Sequence, residues 1–372
     1  MKSSFSLGTI MGIPFGVNFS WFIVFFALAA ILALSYFPYW YPDWSQALYW
    51  LLGFVTSLLF FASVVAHEVA HCVVAVRRGI EVKSITLFVL GGVSRITKEA
   101  SEPSTELVMA VAGPLSSVAL GGIGVVIWLA SRNAVEPLGA VAFYLFWINM
   151  ALAVFNMLPS FPMDGGRVLR SLVWWRNGDY MRATRIACRI GQVTGGLVIL
   201  IGVAVAILIN AVSGLWAVMI GLFVTVASTT SYRQEMLRSS LRGFNARDVM
   251  TLDSQRVPAQ LPVEVAATDY FRSGDVVFLV VEERGEPAGI VVPKHVKKVS
   301  KQQRRTTSVA EIMTPIEKVG VVSPEDDGMV TLERIEEGDL GVVVAMDGGG
   351  LAGFVERDHL LDRGFDHPEQ GE

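Results

Sequence analysis

Within residues 63–76, SVVAHEVAHCVVAV, two histidines and a glutamate interrupt an otherwise apolar run. His67 and His71 are four positions apart, which on an α-helix sets both imidazoles on one face within reach of a single metal ion. Neutral imidazole suits zinc, and a catalytic zinc takes three protein ligands while keeping a fourth position for water. Glu68 follows the first histidine, placed to take a proton from that water once the metal has brought its pKa toward neutrality. The competing reading is a pair of core histidines with a snorkelling glutamate. Three ionisable groups in an apolar helix are costly unless used, which favours the metal.

The third ligand is expected to be a histidine or a carboxylate at similar depth. His295, His359 and His367 all lie far downstream in a more polar region. Asp164 is the candidate, within NMLPSFPMDGGR, residues 156–167. Pro159 and Pro162 cannot continue an ordinary helix. The backbone is therefore expected to unwind at membrane depth, where irregular chain is tolerated if it lines a cavity or is buried by protein. The same aspartate also reads as a plain helix cap, with Gly165 and Gly166 as its turn.

The elements that must carry these groups are apolar. Of 372 residues, 52% are hydrophobic and 17% charged, against roughly 25% charged in soluble domains, so lipid is the expected solvent for much of the chain. A net charge of −4 gives no reason to expect a nucleic-acid partner. Cys72 and Cys188 are too few for a disulfide framework or a thiolate zinc site. The first apolar run follows a lone Lys2 without a small-residue cleavage site and reads as a retained span.

Charge-free intervals delimit six spans near 18–37, 47–74, 107–131, 138–158, 191–209 and 214–231, each close to the roughly 20 residues a crossing needs. Arg77, Arg78 and Lys83 follow the second span, six arginines fall between 167 and 189, and Arg233, Arg238 and Arg242 follow the sixth. By the positive-inside rule both ends face the cytoplasm, with His67 and Asp164 near the cytoplasmic ends of spans two and four. The intervening VKSITLFVLGGVSRI, residues 82–96, is too short to span and rich in β-branched residues. It reads as a membrane-associated strand or hairpin with Gly91 and Gly92 as its turn.

HEVAH in one span and NMLPSFPMDGG in a later one, in this order, resemble the site-2 protease family of intramembrane zinc metalloproteases, over roughly residues 5–230. The resemblance implies one Zn2+ per chain held by His67, His71 and Asp164, with Glu68 as catalytic base. It implies that Asn156 stabilises the oxyanion or positions the substrate, and that the 82–96 element pairs with an unwound substrate. The implied partner is a single-span membrane protein in the lipid bilayer, cut near the cytoplasmic face in regulated intramembrane proteolysis. Two positions depart from the family pattern: Met163 stands where Leu is usual, and Ser117, in AGPLSS, replaces a common Asn. The reading from another class is a metal or ion transporter that uses the His/His/Asp cluster as a transit site. Glu68 weighs against it, since a transit site has no need of a base.

The chain is thus expected to hold a polytopic α-helical membrane domain over 1–231, a linker over 232–243 and a soluble α/β domain over 244–372. In the last of these, ARDVMT at 246–251 matches VAEIMTP at 309–315. SGDVVFLVVEERGEPAGIVVPKHV at 273–296 matches EGDLGVVVAMDGGGLAGFVERDHL at 337–360, again 63 or 64 residues on. Each unit, about 244–300 and 307–365, reads strand, helix, strand, strand, helix. This resembles a tandem CBS pair, which implies an adenine nucleotide in a central cleft. Asp358 matches the acid such modules place on a ribose, whereas its equivalent in the first repeat is Lys294, and the usual upstream Ser/Thr is Glu356 or Val292. The other reading of the tail is a homodimerisation or anchoring module without ligand.

Overall fold

The computed structural model describes residues 5–88, 91–96, 100–241, 243–251, 254–273, 276–348 and 350–366. The chain divides into two compact units, Met1–Tyr232 and Arg233–Glu372.

Among the described residues, six helical stretches are long and apolar enough to cross a membrane by length and composition. The first joins α1 (Phe19–Ile31) through a π-helical turn, Leu32–Tyr36, to α2 (Phe37–Trp40). The others are α3 (Gln46–Arg77), α4 (Pro103–Ser131), α5 (Glu136–Asn156), α7 (Tyr180–Leu208) and α8 (Ala211–Ser240). Local chemistry starts each of them. Asn18 Oδ1 accepts the amide of Ser20, and Ser45 Oγ that of Leu48. α4 and α5 carry proline in their first turn, where no intrahelical donor is lost. Between α5 and α7 the chain turns over 157–163, where Pro159 and Pro162 break the helix, and then forms the short α6 (Asp164–Asn177). α6 stops at Gly178, whose φ of 72° is the left-handed value glycine adopts without strain.

A four-stranded sheet completes the first unit: β1 (Phe5–Ile10), β2 (Ile13–Val17), β3 (Val82–Phe88) and β4 (Gly91–Ile96), in that order. β2 and β3 are parallel and the other neighbours antiparallel. The hairpin over 82–96 is present, but its turn is not at the two glycines. Gly91 pairs with Phe88 and Gly92 with Leu87, so both belong to β4, and the connection falls on 89–90, outside the described residues. The register decides this, because two-residue loops are the commonest closure of an antiparallel pair. The N-terminal strands have no counterpart in the expectations from sequence. They close at Met11–Gly12, both with positive φ, as a two-residue hairpin turn requires. Ile13, Val82 and Ile85 of the sheet pack with Cys72 and Ala75 of α3 and Met109 of α4. Val17 and Leu87 pack with Val64. The sheet therefore lies along the part of α3 that carries the two histidines.

The second unit repeats one motif. The first copy is α9 (Ala246–Val249), β5 (Arg256–Pro258), α10 (Val263–Val265, continued to Tyr270), β6 (Leu279–Glu283), β7 (Glu286–Val291) and α11 (Pro293–Lys298). The second is α12 (Val309–Ile312), β8 (Thr314–Pro315), β9 (Val321–Val322), α13 (Gly328–Glu337), β10 (Val342–Asp347), β11 (Gly350–Glu356) and α14 (Arg357–Asp366). Each copy has one parallel pair, β5 with β6 and β9 with β10, followed by an antiparallel hairpin. Even the caps repeat: Asn245 with Asp248 and Ser308 with Glu311 form the same capping box. Phe278, Val280 and Ile290 of one copy and Val342, Val344 and Phe354 of the other share a core. This is the topology expected of a tandem CBS pair.

Candidate metal centre

His67 and His71 project from one face of α3 and are 4% and 6% exposed; Asp164, the first residue of α6, is 9% exposed. Asp164 Oδ2 lies 3.1 Å from His67 Nε2 and 3.3 Å from His71 Nε2. One ligand atom from each residue falls within 4.8 Å of the others. Tetrahedral zinc with ligand bonds of 2.0–2.1 Å separates its ligand atoms by about 3.3–3.5 Å. The donor set and spacing fit that ion.

The far side of each ring is fixed by α4. His71 Nδ1 is 2.6 Å from the carbonyl oxygen of Met109. A carbonyl only accepts, so this nitrogen carries the proton and Nε2 presents its lone pair, the tautomer a metal needs. His67 Nδ1 is 2.9 Å from Ser117 Oγ, on a fully buried serine. Gly113 lies between these two anchors on the same helix. A Cβ there would sit 2.6 Å from His67 Nε2 and closer still to His71 Nε2. Only hydrogen at this position keeps the space beside the two ligand atoms open.

Asp164 is not a cap. The N-cap of α6 is Met163, which makes no side-chain capping bond, and the carboxylate turns to the histidines instead. Gly165 and Gly166 are not a turn either, because both lie inside α6. Side chains there would meet the backbone of Met157 and Leu158, or of Ser160 and Phe161, so the glycines let the 157–163 loop fold back against the helix start.

Glu68 is half-buried beside His67 on α3. Asn156 ends α5, its amide donating to Leu152 O at 3.0 Å. Asn149, seven residues earlier and so on the same helical face, donates to Ser63 Oγ at 3.3 Å, and Ser63 lies one turn before His67. Asn156 therefore sits two turns, about 10.5 Å, further along that face than the contact with Ser63. Asp358 is exposed in the first turn of α14 in the second unit. Met109 and Gly113 were not legible as site residues, and Ser117 was legible only as a departure. A main-chain acceptor leaves no side-chain signature, although the four-residue spacing 109, 113, 117 is a helical stripe.

Residues 55–139 and 123–200 match Peptidase family M50. A Synechocystis sp. protein, sll0528, whose name proposes a zinc metalloprotease, is 32% identical over 366 residues, covering 97% of this chain and 95% of its own. The chain belongs to peptidase family M50. The matched segments hold both histidines and Asp164. The solved site-2 protease of Methanocaldococcus jannaschii is 27% identical and covers 62% of this chain and 95% of its own, with a TM-score of 0.42. The CBS domain of a bacterial CNNM/CorC family Mg2+ transporter, solved with ATP, is 18% identical over 36% of this chain and 96% of its own, with a TM-score of 0.30. As an M50 member with six apolar helices, the chain is an integral membrane protein and a zinc metalloprotease. The transporter reading is not favoured.

Proposed function

We propose that this protein hydrolyses a peptide bond within or beside the transmembrane segment of a single-span membrane protein, as a step of regulated intramembrane proteolysis. His67, His71 and Asp164 hold one zinc ion, and Glu68 is the general base. The observation that carries this is the convergence of two Nε2 atoms, one of them fixed as an acceptor by Met109 O, on one carboxylate oxygen in a buried site. When bound there, zinc acidifies a water and polarises the scissile carbonyl. Glu68 takes the proton of the attacking water and returns it to the leaving amine. Asn156 keeps a second amide hydrogen beyond the one given to Leu152 O, which suits it to the developing oxyanion. β4 ends the four-stranded sheet, and an edge strand that pairs with a substrate extends its backbone and exposes the peptide bond.

The test is cleavage of a panel of single-span substrates by the purified protein. Chelator should abolish cleavage and added zinc restore it. Asp164→Ala should lose both zinc and activity, since two imidazoles leave the ion under-coordinated. Full zinc occupancy in that variant would remove Asp164 from the ligand set.

We place the cut near the cytoplasmic face, with both ends of the chain on that side, because the arginine-rich segments lie on the side of His67 and Asp164. Single cysteines introduced at 41–45 should then react with an impermeant reagent from outside, and those at the exposed positions 175–179 only from the cytoplasm. The reverse pattern would move the site to the other face.

For the tail we propose weak, asymmetric binding of adenine nucleotide near Asp358. Glu356 stands where a Ser/Thr is usual, and it sets a second carboxyl within electrostatic reach of Asp358. Such a site accepts phosphate charge poorly. Titration of the full chain with ATP and AMP should give millimolar binding that Asp358→Ala removes. Absence of binding would leave the tail as an assembly module, whose signature is a homodimer in solution.

A further inference from the structure

We propose that the buried ion pair between Glu106 and Arg170 is the positioning device for the third metal ligand, registering Asp164 on the same helix that registers both histidines. The proposal rests on the assignment of His67, His71 and Asp164 as the metal site.

Glu106 lies in the first turn of α4 and Arg170 on α6, each 4% exposed. Arg170 Nε donates to Glu106 Oε1 at 2.8 Å, and its Nη2 donates to the same oxygen. The guanidinium also lies over two rings, 4.9 Å from the centroid of Phe161 and 4.7 Å from that of Tyr180. Phe161 belongs to the loop that leads into Asp164, and Tyr180 opens α7. One cation thus joins α4, the 157–163 loop, α6 and the start of α7.

As a source of stability this is a poor arrangement. Desolvating both charges costs much of what their attraction returns, and a packed apolar pair often does as well. Here Glu106 Oε2 is in addition buried without a hydrogen-bond partner among the described residues. What the pair supplies that an apolar contact would not is direction, because a planar fork stacked on two rings tolerates little sliding.

The direction matters for Asp164. Among the described residues its carboxylate bonds only to the two histidines, so its place depends on where α6 begins. Arg170 is six residues on, about 9 Å along the helix. On α4 the positions 106, 109, 113 and 117 follow the 3-and-4 spacing of one helical stripe. Glu106 holds Arg170, Met109 O holds His71, Gly113 leaves the space beside the ligand atoms, and Ser117 holds His67. All three ligands are referenced to a single row of α4. If the fork is lost, α6 is free to shift along α4 and carry Asp164 away from the histidines while the fold persists.

The test uses the full chain in nanodiscs. Three forms are compared with wild type: Arg170→Lys, which keeps the charge and loses the fork; Glu106→Gln; and Glu106→Leu with Arg170→Met, an apolar pair chosen to fold even if a single variant does not. Zinc affinity is read by competition with a chelator, ligand geometry by the visible absorption of the Co2+-loaded protein, and fold by thermal melting. Zinc affinity should fall about tenfold or more, the range for lost ligand-orienting contacts, and the cobalt bands should shift. Both changes should persist in the apolar double variant at wild-type melting temperature. Lowered melting with unchanged zinc affinity and cobalt spectrum would make the pair purely structural and overturn the proposal. Asp164→Ala in the same assay separates the two ideas: if that variant keeps its zinc, the ligand assignment fails, and the positioning role with it.

Discussion

Glu68→Gln is expected to lower turnover of a transmembrane substrate by about 10²–10⁴-fold, the usual worth of a general base, while bound zinc stays at the wild-type level. The substitution is close to isosteric, and the amide cannot accept the proton of the attacking water. Glu68 is not among the three residues whose ligand atoms converge, so its loss leaves the donor set whole. It neighbours His67 in sequence, on a helix whose buried face is filled by both histidines, Ser63, Val64 and Cys72. The decisive measurement pairs metal content with a product assay on the same preparation. Cleavage at the wild-type rate would remove Glu68 from the mechanism, and loss of zinc together with activity would recast it as part of the metal-holding structure.

What could be read in the sequence followed side-chain chemistry. His67, Glu68 and His71 announce themselves by spacing, and Asp164 by the prolines that force the chain to turn before it. Six spans are legible because lipid admits few charges, so each charge-free interval marks a crossing, and the longest, 190–232, has room for two. Three kinds of feature were not legible. The strands at 5–17 lie directly before the first span, where their apolar residues merge with its hydrophobic run, and their pairing with β3 crosses some seventy positions. The anchor on His71 is a carbonyl, which every residue has. Gly113 matters through what would collide with it, and a collision is a property of two helices together. Ser117 is the instructive case: legible only as a departure from the family pattern, it nonetheless sets its hydroxyl 2.9 Å from His67 Nδ1.

Gly113→Ala is expected to strip the protein of zinc without unfolding it. In an isolated helix the change is favourable, by about 1 kcal/mol, so α4 itself is not weakened. The added methyl, however, falls 2.6 Å from His67 Nε2 and nearer to His71 Nε2, well inside van der Waals contact. The rings can yield only by swinging their Nε2 atoms away. Each swing pulls Nδ1 from Ser117 Oγ or from Met109 O, giving up a buried hydrogen bond worth about 1 kcal/mol. Whichever ring moves, its lone pair no longer points toward Asp164 Oδ2. Disturbing one orienting contact typically weakens metal binding 10–100-fold, and here both histidines are affected, so affinity should fall by about 100-fold or more. Competition against a chelator measures that loss, and circular dichroism with thermal melting reports the fold. Cleavage should drop with zinc occupancy and recover in part at high added zinc, which distinguishes this variant from Glu68→Gln, where added metal changes nothing. Wild-type zinc affinity in Gly113→Ala would mean that the space beside the two Nε2 atoms is not where the ion sits, and the centre would have to be drawn again around a different set of donors.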